Sequence, residues 1–406
     1  MRIKSIWVNN FKSLVDFKID LANFNCLIGL NGSGKSTFLQ FMDFLAQLMT
    51  GGMSFRLPQR NWTKENIVTR FDKNKRRTIK FKVIFQKDHV EGFWEGDFLV
   101  DLLSDDQRRV DILYCVQEKF SWDDCSIEVT NDPKNVGTCV WNDRKDIPES
   151  RKVYEINFKY QGSIFSALAD HEVLAKFGEV IEFFRNIRTF DLLSPNAMKK
   201  DSTASYGTIG NMGENIAHFL DGMDPEAHSR INEKIKRVYP RFHDFDVRDS
   251  TNFAGGKTLY ITENYCIIEN DRRGHLPYYF QAKEINDGLL RILAILGQLS
   301  SNDPFLLFDE IENGINPELV GFLLDQFTTT EKQIVVTTHN PLILNYLNDE
   351  TAIPGIHFFY KTPEGFTQTR QFLAIPEMRE KLDVMGPGEV MIDTNLTELA
   401  SRLSQQ

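Results

Sequence analysis

Along the chain, the spacing of apolar and polar residues divides into three stretches. Near the N-terminus, Val15, Phe17, Ile19 and Leu21 recur at every second position, the spacing of a half-buried strand. Phe24-Asn25-Cys26-Leu27-Ile28 is nearly continuous apolar sequence and predicts a short central strand. A Gly-bearing loop comes next, then helical spacing from about Lys35 to Met49. Residues 51–160 read differently. Gly51-Gly52 and Pro58 end the helix, and Thr78–Gln86, Gly92–Val100 and Val153–Tyr160 alternate as antiparallel strands do, with polar loops such as Thr130–Asn135 between them. Helical spacing returns over 164–187 through Val173, Phe177, Val180 and Phe184. A polar stretch, SPNAMKKDSTASYGTIGNMG, then precedes two helices at Ile216–Met223 and Ala227–Val238.

From residue 258 the pattern sharpens. Strands at Leu259–Thr262, Cys266–Glu269, Phe305–Phe308 and Ile334–Val336 alternate with helices at Leu289–Leu299 and Glu318–Phe327. That alternation predicts an α/β fold with a parallel sheet covered by helices on both faces. No heptad run is sustained, so no long coiled coil is expected.

Composition refines this picture. The chain has 406 residues, 41% of them hydrophobic and 32 of them Phe, enough for packed cores in two or three lobes. No apolar run approaches the roughly 20 residues that span a bilayer. The opening MRIKSIWVNNFKS lacks the apolar segment of a secretory leader, so a cytoplasmic location without a membrane partner is expected. The five cysteines, Cys26, Cys115, Cys125, Cys139 and Cys266, contain no C-x-x-C pair, which argues for reduced thiols rather than a disulfide framework or zinc site.

The net charge of -10 gives no overall sign of a nucleic-acid binder, but charge is unevenly spread. Arg70, Lys73, Lys75, Arg76, Arg77, Lys80 and Lys82 place seven basic residues in thirteen, and Arg230, Lys234, Lys236, Arg237 and Arg241 form a second cluster. Phosphate contacts to nucleic acid, an acidic partner and plain solvated faces all remain open for these patches.

The chemistry concentrates at strand ends. Gly29-Leu30-Asn31-Gly32-Ser33-Gly34-Lys35-Ser36 fits G-x-x-x-x-G-K-[ST], between an apolar strand and a helix, as a phosphate loop requires. Backbone N–H groups of such a loop point at phosphate oxygens, and the helix N-terminus adds a favourable dipole. Lys35 would reach the β- and γ-phosphates of ATP and the Ser36 hydroxyl would ligate Mg²⁺. Phe305-Leu306-Leu307-Phe308-Asp309-Glu310 is an apolar strand ending in two acids, with Asp309 as the second metal ligand and Glu310 as general base or water-positioning group. His339 ends the next strand, one helix on from Glu310, where a side chain can approach a γ-phosphate. Asn286-Asp287-Gly288 opens an apolar helix with Asn286 as its cap, either a second anion-ready terminus or simply a capped buried helix.

Taken in order, these segments resemble the ATP-binding cassette ATPases of the RecF/SMC branch, especially the short bacterial AAA-type ATPases of anti-phage defence systems of the Septu and retron-associated type. Gly29–Ser36, with Thr37 after it, matches Walker A. Leu306–Glu310 matches Walker B. Ile311-Glu312-Asn313-Gly314-Ile315-Asn316-Pro317 resembles the D-loop region, and Thr337–Pro341 the switch-histidine loop. Asn286-Asp287-Gly288 lies where the family's signature motif stands. Asn10-Phe11-Lys12-Ser13 resembles the N-terminal segment whose basic residue lies near the nucleotide, which makes Lys12 a cofactor-binding candidate. Asn286 departs from the usual Ser, Asn316 from a common His, and no Gln can be assigned to the Q-loop.

The resemblance implies an ABC-ATPase-like head. Residues 1–50 and 258–345 would be the nucleotide-binding core, 51–257 inserted β and helical lobes, and 346–406 a C-terminal extension. It also implies ATP and Mg²⁺ as cofactors and a head-to-tail homodimer, open to higher assembly, in which one copy's signature loop completes the other's site. The long stretch between the phosphate loop and the signature position carries no heptads, so the SMC arm is missing. The segment after His339 is too short for the Toprim nuclease of some relatives, so the output is expected from a separate effector such as an HNH-type nuclease. A RecF-like DNA-binding repair ATPase and a non-hydrolysing ATP-bound scaffold are the alternatives.

Overall fold

The computed structural model describes residues 1–70, 77–105, 108–131, 137–144, 147, 150–158, 160–168, 171–190, 193–203, 207–252, 254–269 and 272–405. The chain opens with strands β1 (Arg2–Asn9), β2 (Phe17–Asp20) and β3 (Phe24–Ile28) and the helix Lys35–Thr50. Six strands follow: β4 (Thr78–Lys87), β5 (Val90–Asp105), β6 (Arg108–Trp122), β7 (Cys125–Thr130), β8 (Gly137–Asn142) and β9 (Arg151–Ile156). The helix His171–Arg185 leads to β10 (Ile187–Phe190), then the helices Ile216–Asp221 and Pro225–Val238. Next come β11 (Phe242–Asp249), β12 (Lys257–Glu269), β13 (Arg272–Gln281), the helix Asp287–Leu299, β14 (Phe305–Phe308) and the helix Pro317–Thr329. The chain continues through β15 (Gln333–Thr337), β16 (Ile356–Lys361) and β17 (Thr367–Gln371) into short C-terminal helices.

The chain forms two compact units, Met1–Arg188 with Gln333–Gln406, and Thr189–Lys332. These units cut the chain elsewhere than the expected core boundaries. His339 belongs with the phosphate loop in the first unit, and Asn286 and Asp309 belong to the second.

In the first unit, β2-β1-β4-β5-β6-β7-β8-β9 form one antiparallel sheet. Its alternating pattern buries Phe81, Phe85, Trp94, Phe98 and Phe120, where Trp94 stacks on Phe120 at 5.0 Å and Phe165 meets Phe120 edge-on at 4.5 Å. The second sheet of this unit is the parallel run β15-β3-β16, with β17 antiparallel at its edge. All five residues of β3 and of β15 are buried, which is why these strands are mostly apolar, with Asn25, Gln333 and Thr337 as their buried polar members. The second unit holds β14, the Thr189–Phe190 end of β10 and the antiparallel β11-β12-β13 sheet, with the almost wholly buried helix Asp287–Leu299.

Several expectations are corrected. The 51–160 stretch holds six strands, not three: β6 carries charged residues through its length, and β7 and β8 are only six residues long. The strand expected at Val153–Tyr160 is Arg151–Ile156, and its exposed positions leave little periodicity to read. The helix expected over 164–187 begins only at His171, after a 3₁₀ turn at Ile164–Ser166. The two strands expected at 259–262 and 266–269 are one strand, and its hairpin partner β13 is an element the pattern does not predict.

In the first basic run, Lys73, Lys75 and Arg76 lie outside the described residues. Lys80 and Lys82 stand directly opposite Asp97 and Glu95 across the β4–β5 ladder, and each forms an ion pair with its partner. Their charge therefore belongs to a cross-strand pattern. Cys26, Cys115, Cys125 and Cys139 are buried and Cys266 is exposed, all as free thiols. Among the described residues, no helix is long and apolar enough to cross a membrane.

Candidate functional site

The first unit builds the phosphate loop at the carboxyl end of β3. The parallel register sets Thr337 of β15 against Leu27 and Phe358 of β16 against Ile28, so β3 and β15 end nearly together beneath the loop while β16 runs on to Lys361. Two glycines are fixed by geometry. Gly34 caps the helix at φ 108°, and a Cβ there would fall 2.1 Å from Thr367 Oγ1. Gly29 lies at φ 142°, and a Cβ there would fall 2.3 Å from the Phe359 carbonyl.

Thr367 is a strut for the loop. Its hydroxyl donates to the Ser33 carbonyl at 3.0 Å and accepts from Lys361 Nζ at 2.9 Å, with Ser13 Oγ 2.9 Å away. Burial pulls the Lys361 ammonium down to a pKa of about 8.

The loop's own polar groups fit a polyphosphate. Lys35 is buried, with Nζ turned back to the Gly29 and Leu30 carbonyls at 2.9 and 3.3 Å. Ser33 Oγ is buried with no hydrogen-bond partner. Asn31, Gly32 and Ser36 are exposed and Thr37 is half-buried. An ammonium parked on loop carbonyls, an orphaned hydroxyl and an exposed serine at the helix start are the donor set that a Mg²⁺-bound triphosphate requires.

Two further candidate residues lie in the first unit. His339 is exposed just past β15, and the chain before it is fixed by the Thr338 N–H bonding the Leu27 carbonyl at 3.3 Å. Lys12, in the left-handed region at φ 49°, donates from Nζ to Gln40 Oε1 at 2.6 Å, on the phosphate-loop helix one turn beyond Ser36. It also lies 5.6 Å over the Trp62 ring, and burial lowers its pKa.

The second unit carries the acidic strand end. β14 is fully buried, and the Asp309 N–H bonds the Phe190 carbonyl at 3.1 Å while Phe190 stacks on Phe308 at 5.0 Å. Glu310 adopts φ 49°, unusual for a side-chain-bearing residue, directly after Asp309. Asn313 ties back to it, with N–H to the Glu310 carbonyl at 3.0 Å. Asn316 caps the next helix through Glu318 N–H at 3.3 Å, so the residue standing where His is common serves as a helix cap.

Asn286 is exposed and caps the Asp287–Leu299 helix, with Oδ1 accepting from Leu289 N–H at 2.8 Å. The acceptor is used inward, so the amide Nδ2 is directed away from the cap and remains available to donate. Asp287 pairs with Lys199 at 2.7 Å. Gly288 is buried so closely that a Cβ would lie 3.1 Å from the Gly314 carbonyl.

Sequence reasoning missed Arg291. It is the one charged side chain in LLRILAILGQL, and it is buried. Its Nη1 donates to the Asn313 carbonyl, and Nε is buried without a partner. Burial lowers its pKa, with Asp287 and Glu310 acting in the opposite direction. Its lone charge was the available signal. Thr367 and Lys361 gave none, because the loop residue they support, Ser33, stands near the opposite end of the chain.

The structure thus groups Asn31–Thr37, Lys12 and His339 in the first unit, and Asp309, Glu310 and Asn286–Gly288 in the second.

Two family profiles match the sequence. One, described as "AAA ATPase domain", covers residues 1–204. The other, described as "AAA domain, putative AbiEii toxin, Type IV TA system", covers residues 140–345. Among solved structures, the chain is similar to an SMC head bound to the C-winged helix domain of ScpA, at 15% identity over 91% of this chain and 98% of that one, TM-score 0.49. It is similar to the SMC head domain from Thermotoga maritima at 10% identity over 91% and 99%, TM-score 0.41. It is also similar to the Smc head domain with an extended coiled coil, bound to the C-terminal domain of ScpA and derived from Pyrococcus furiosus, at 13% identity over 94% and 99%, TM-score 0.49. No curated protein matches the chain. Each profile spans half of the sequence and together they run from the phosphate loop past the acidic strand end, so the chain belongs to the AAA-type ATPase domain family.

Proposed function

We propose that this ATPase is a cytoplasmic, ATP-gated switch that works as a head-to-tail homodimer and passes its state to a separate effector protein in anti-phage defence, with an HNH-type nuclease as the effector. The observation that carries the reading is the phosphate loop, where Lys35 is held on its own loop's carbonyls beside the orphaned Ser33 hydroxyl. In the working enzyme Lys35 leaves those carbonyls for the β- and γ-phosphates. Ser36 and Asp309 would hold the metal, Glu310 would orient the attacking water, and His339 would donate toward the γ-phosphate. A Mg²⁺ ion held there would supply neutralisation of the developing phosphate charge.

The dimer is supported by Asn286. Its outward amide and the helix N-terminus behind it are suited to meeting a second copy's γ-phosphate, and Gly288 and Arg291 tie that helix start to the Asn313–Gly314 turn. The toxin–antitoxin wording of one matching profile favours a defence setting.

The test is mass by light scattering with and without ATP·Mg²⁺, on wild type and Glu310→Gln, with phosphate release followed in parallel. Nucleotide-driven dimerisation, measurable turnover and a trapped Glu310→Gln dimer are expected. A mass indifferent to ATP together with no released phosphate would replace the switch with the constitutive scaffold.

A further inference from the structure

We propose that Thr367, with Lys361 behind it, is a positioning residue for phosphate binding: its hydroxyl holds the Ser33–Gly34 peptide so that the Gly34 N–H is presented to the phosphates of ATP. The inference rests on reading Gly29–Ser36 as an ATP phosphate loop, and every group it uses belongs to the first unit.

A planar trans peptide points its C=O and its N–H in opposite directions, so fixing one aims the other. The Ser33 carbonyl accepts from Thr367 Oγ1 at 3.0 Å. The N–H on the far side of that peptide belongs to Gly34, which is half-buried and donates to no group among the described residues. The groups beside it are spent. Ser33 N–H bonds the Leu30 carbonyl at 3.2 Å, and the Gly34 carbonyl accepts from Phe38 N–H at 3.0 Å. Gly34 N–H is therefore a free donor directly before Lys35, where a phosphate loop needs one.

Glycine is what makes this peptide need a holder. Gly34 sits at φ 108°, which only a residue without a Cβ enters readily, and the same freedom lets the peptide before it turn over. Turned over, it would present a carbonyl oxygen to a polyanion. Thr367 meets the peptide at both of its ends. Its hydroxyl holds the Ser33 carbonyl, and its side chain fills the space a Cβ on Gly34 would take, with Oγ1 only 2.1 Å from that position.

The neighbours of the hydroxyl set its polarity. A hydroxyl has one proton and two lone pairs. The proton lies on the Ser33 carbonyl, which can only accept. Lys361 Nζ, 2.9 Å away, can as an ammonium only donate, and it occupies one lone pair. Ser13 Oγ, also 2.9 Å away, then donates to the other. Thr367 is fully buried, so no water competes for these positions. Lys361 is itself held by the Gly365 carbonyl at 3.1 Å, which roots the support in the turn between β16 and β17. The Thr367 N–H bonds the Ser13 carbonyl at 2.8 Å, so the segment carrying Lys12 shares the same support.

The experiment is calorimetric titration of ATP·Mg²⁺ into the full chain, well below the melting temperature of each variant, for wild type, Lys35→Ala, Thr367→Val, Thr367→Ser and Lys361→Met. Thr367→Val keeps the shape and removes the hydroxyl. It is expected to weaken ATP binding by about tenfold, the size of one hydrogen bond to a charged group. Thr367→Ser restores the hydroxyl and is expected to bind within about twofold of wild type, a rescue that a merely structural role of the side chain would not give. Lys361→Met keeps the stem, removes the donor that sets the hydroxyl's polarity, and is expected to weaken binding by about threefold. Lys361 is only half-buried, so this variant decides the matter should Thr367→Val fail to fold. The proposal alone is overturned if Lys35→Ala loses ATP while Thr367→Val and Lys361→Met bind it as wild type does. It is equally overturned if Thr367→Ser binds as weakly as Thr367→Val, which would assign the support to packing of the methyl group. Failure of wild type itself to bind ATP would overturn the reading of the phosphate loop and this inference with it.

Discussion

Two buried side chains of the first unit bend its stability in opposite directions with pH. Glu118 is fully buried between Trp94 Nε1 at 2.9 Å and Ile164 N–H at 2.7 Å, and burial raises its pKa to about 7. An acid raised in the folded state stabilises below its unfolded pKa, and that stability is lost as pH rises from about 4.5 through about 7. His357, buried with Nε2 3.2 Å from Asn25 Oδ1, is lowered to about 4 by burial. Its contribution is complete above about 6.5 and is lost as pH falls towards about 4. Each amounts to about 3 kcal/mol, so the two slopes largely cancel between about pH 4.5 and 6.5. Urea denaturation of Glu118→Gln should expose stability that climbs with pH over that window, and His357→Asn should expose stability that falls. Gly34→Ala tests the phosphate loop at the same scale. The new methyl meets a Thr367 hydroxyl already engaged with Ser33 and Lys361 and so unable to turn aside. A loss of about 3 kcal/mol in the same assay is expected, with the left-handed backbone adding to the clash.

At the scale of elements, the helix Asp287–Leu299 is both a core helix and a mechanical link. Its apolar residues fill the second unit, while Arg291 reaches the Asn313 carbonyl and Gly288 abuts Gly314. Arg291→Met keeps the length and apolar stem but removes the donor. If this link aligns Glu310 and Asn286, the variant should turn over ATP at least about tenfold more slowly with little change in ATP affinity. That is the pattern of an interaction made only in the reacting state, and steady-state phosphate release resolves it. The link also shows what was legible. Asn286 as a cap, the phosphate loop and the acids after β14 follow from local rules of capping and strand ends, so they could be read from sequence. Arg291 could be noticed as a lone charge, but its partner could not, because Asn313 lies beyond the next strand, outside the reach of any local pattern. β6 to β8 were missed for a different reason. β6 mixes Arg, Asp, Glu and Lys into its length, β7 and β8 are too short for their alternation to stand out, and ladder pairing with neighbours fixes all three instead.

At the scale of the molecule, the α/β class was readable because parallel strands buried on both faces must be written in apolar residues. The division into units was not, since β15 returns from late in the chain to pair with β3, Ile334 beside Phe24. That division makes ligand linkage a sharp test of the site. A ligand that binds only the folded chain stabilises it by about 2.7 kcal/mol when present at about 100 times its dissociation constant. Lys35 and the loop amides of the first unit need only the phosphates, so ATP in EDTA should already raise the melting temperature. If Asp309, in the second unit, holds the metal as proposed, it should add to that rise only when Mg²⁺ is present. Lys35→Ala is therefore expected to remove both increments in a thermal-shift titration, and Asp309→Asn to remove only the Mg²⁺-dependent one. Equal loss of both increments in Asp309→Asn would mean that this carboxylate does not act through the metal alone.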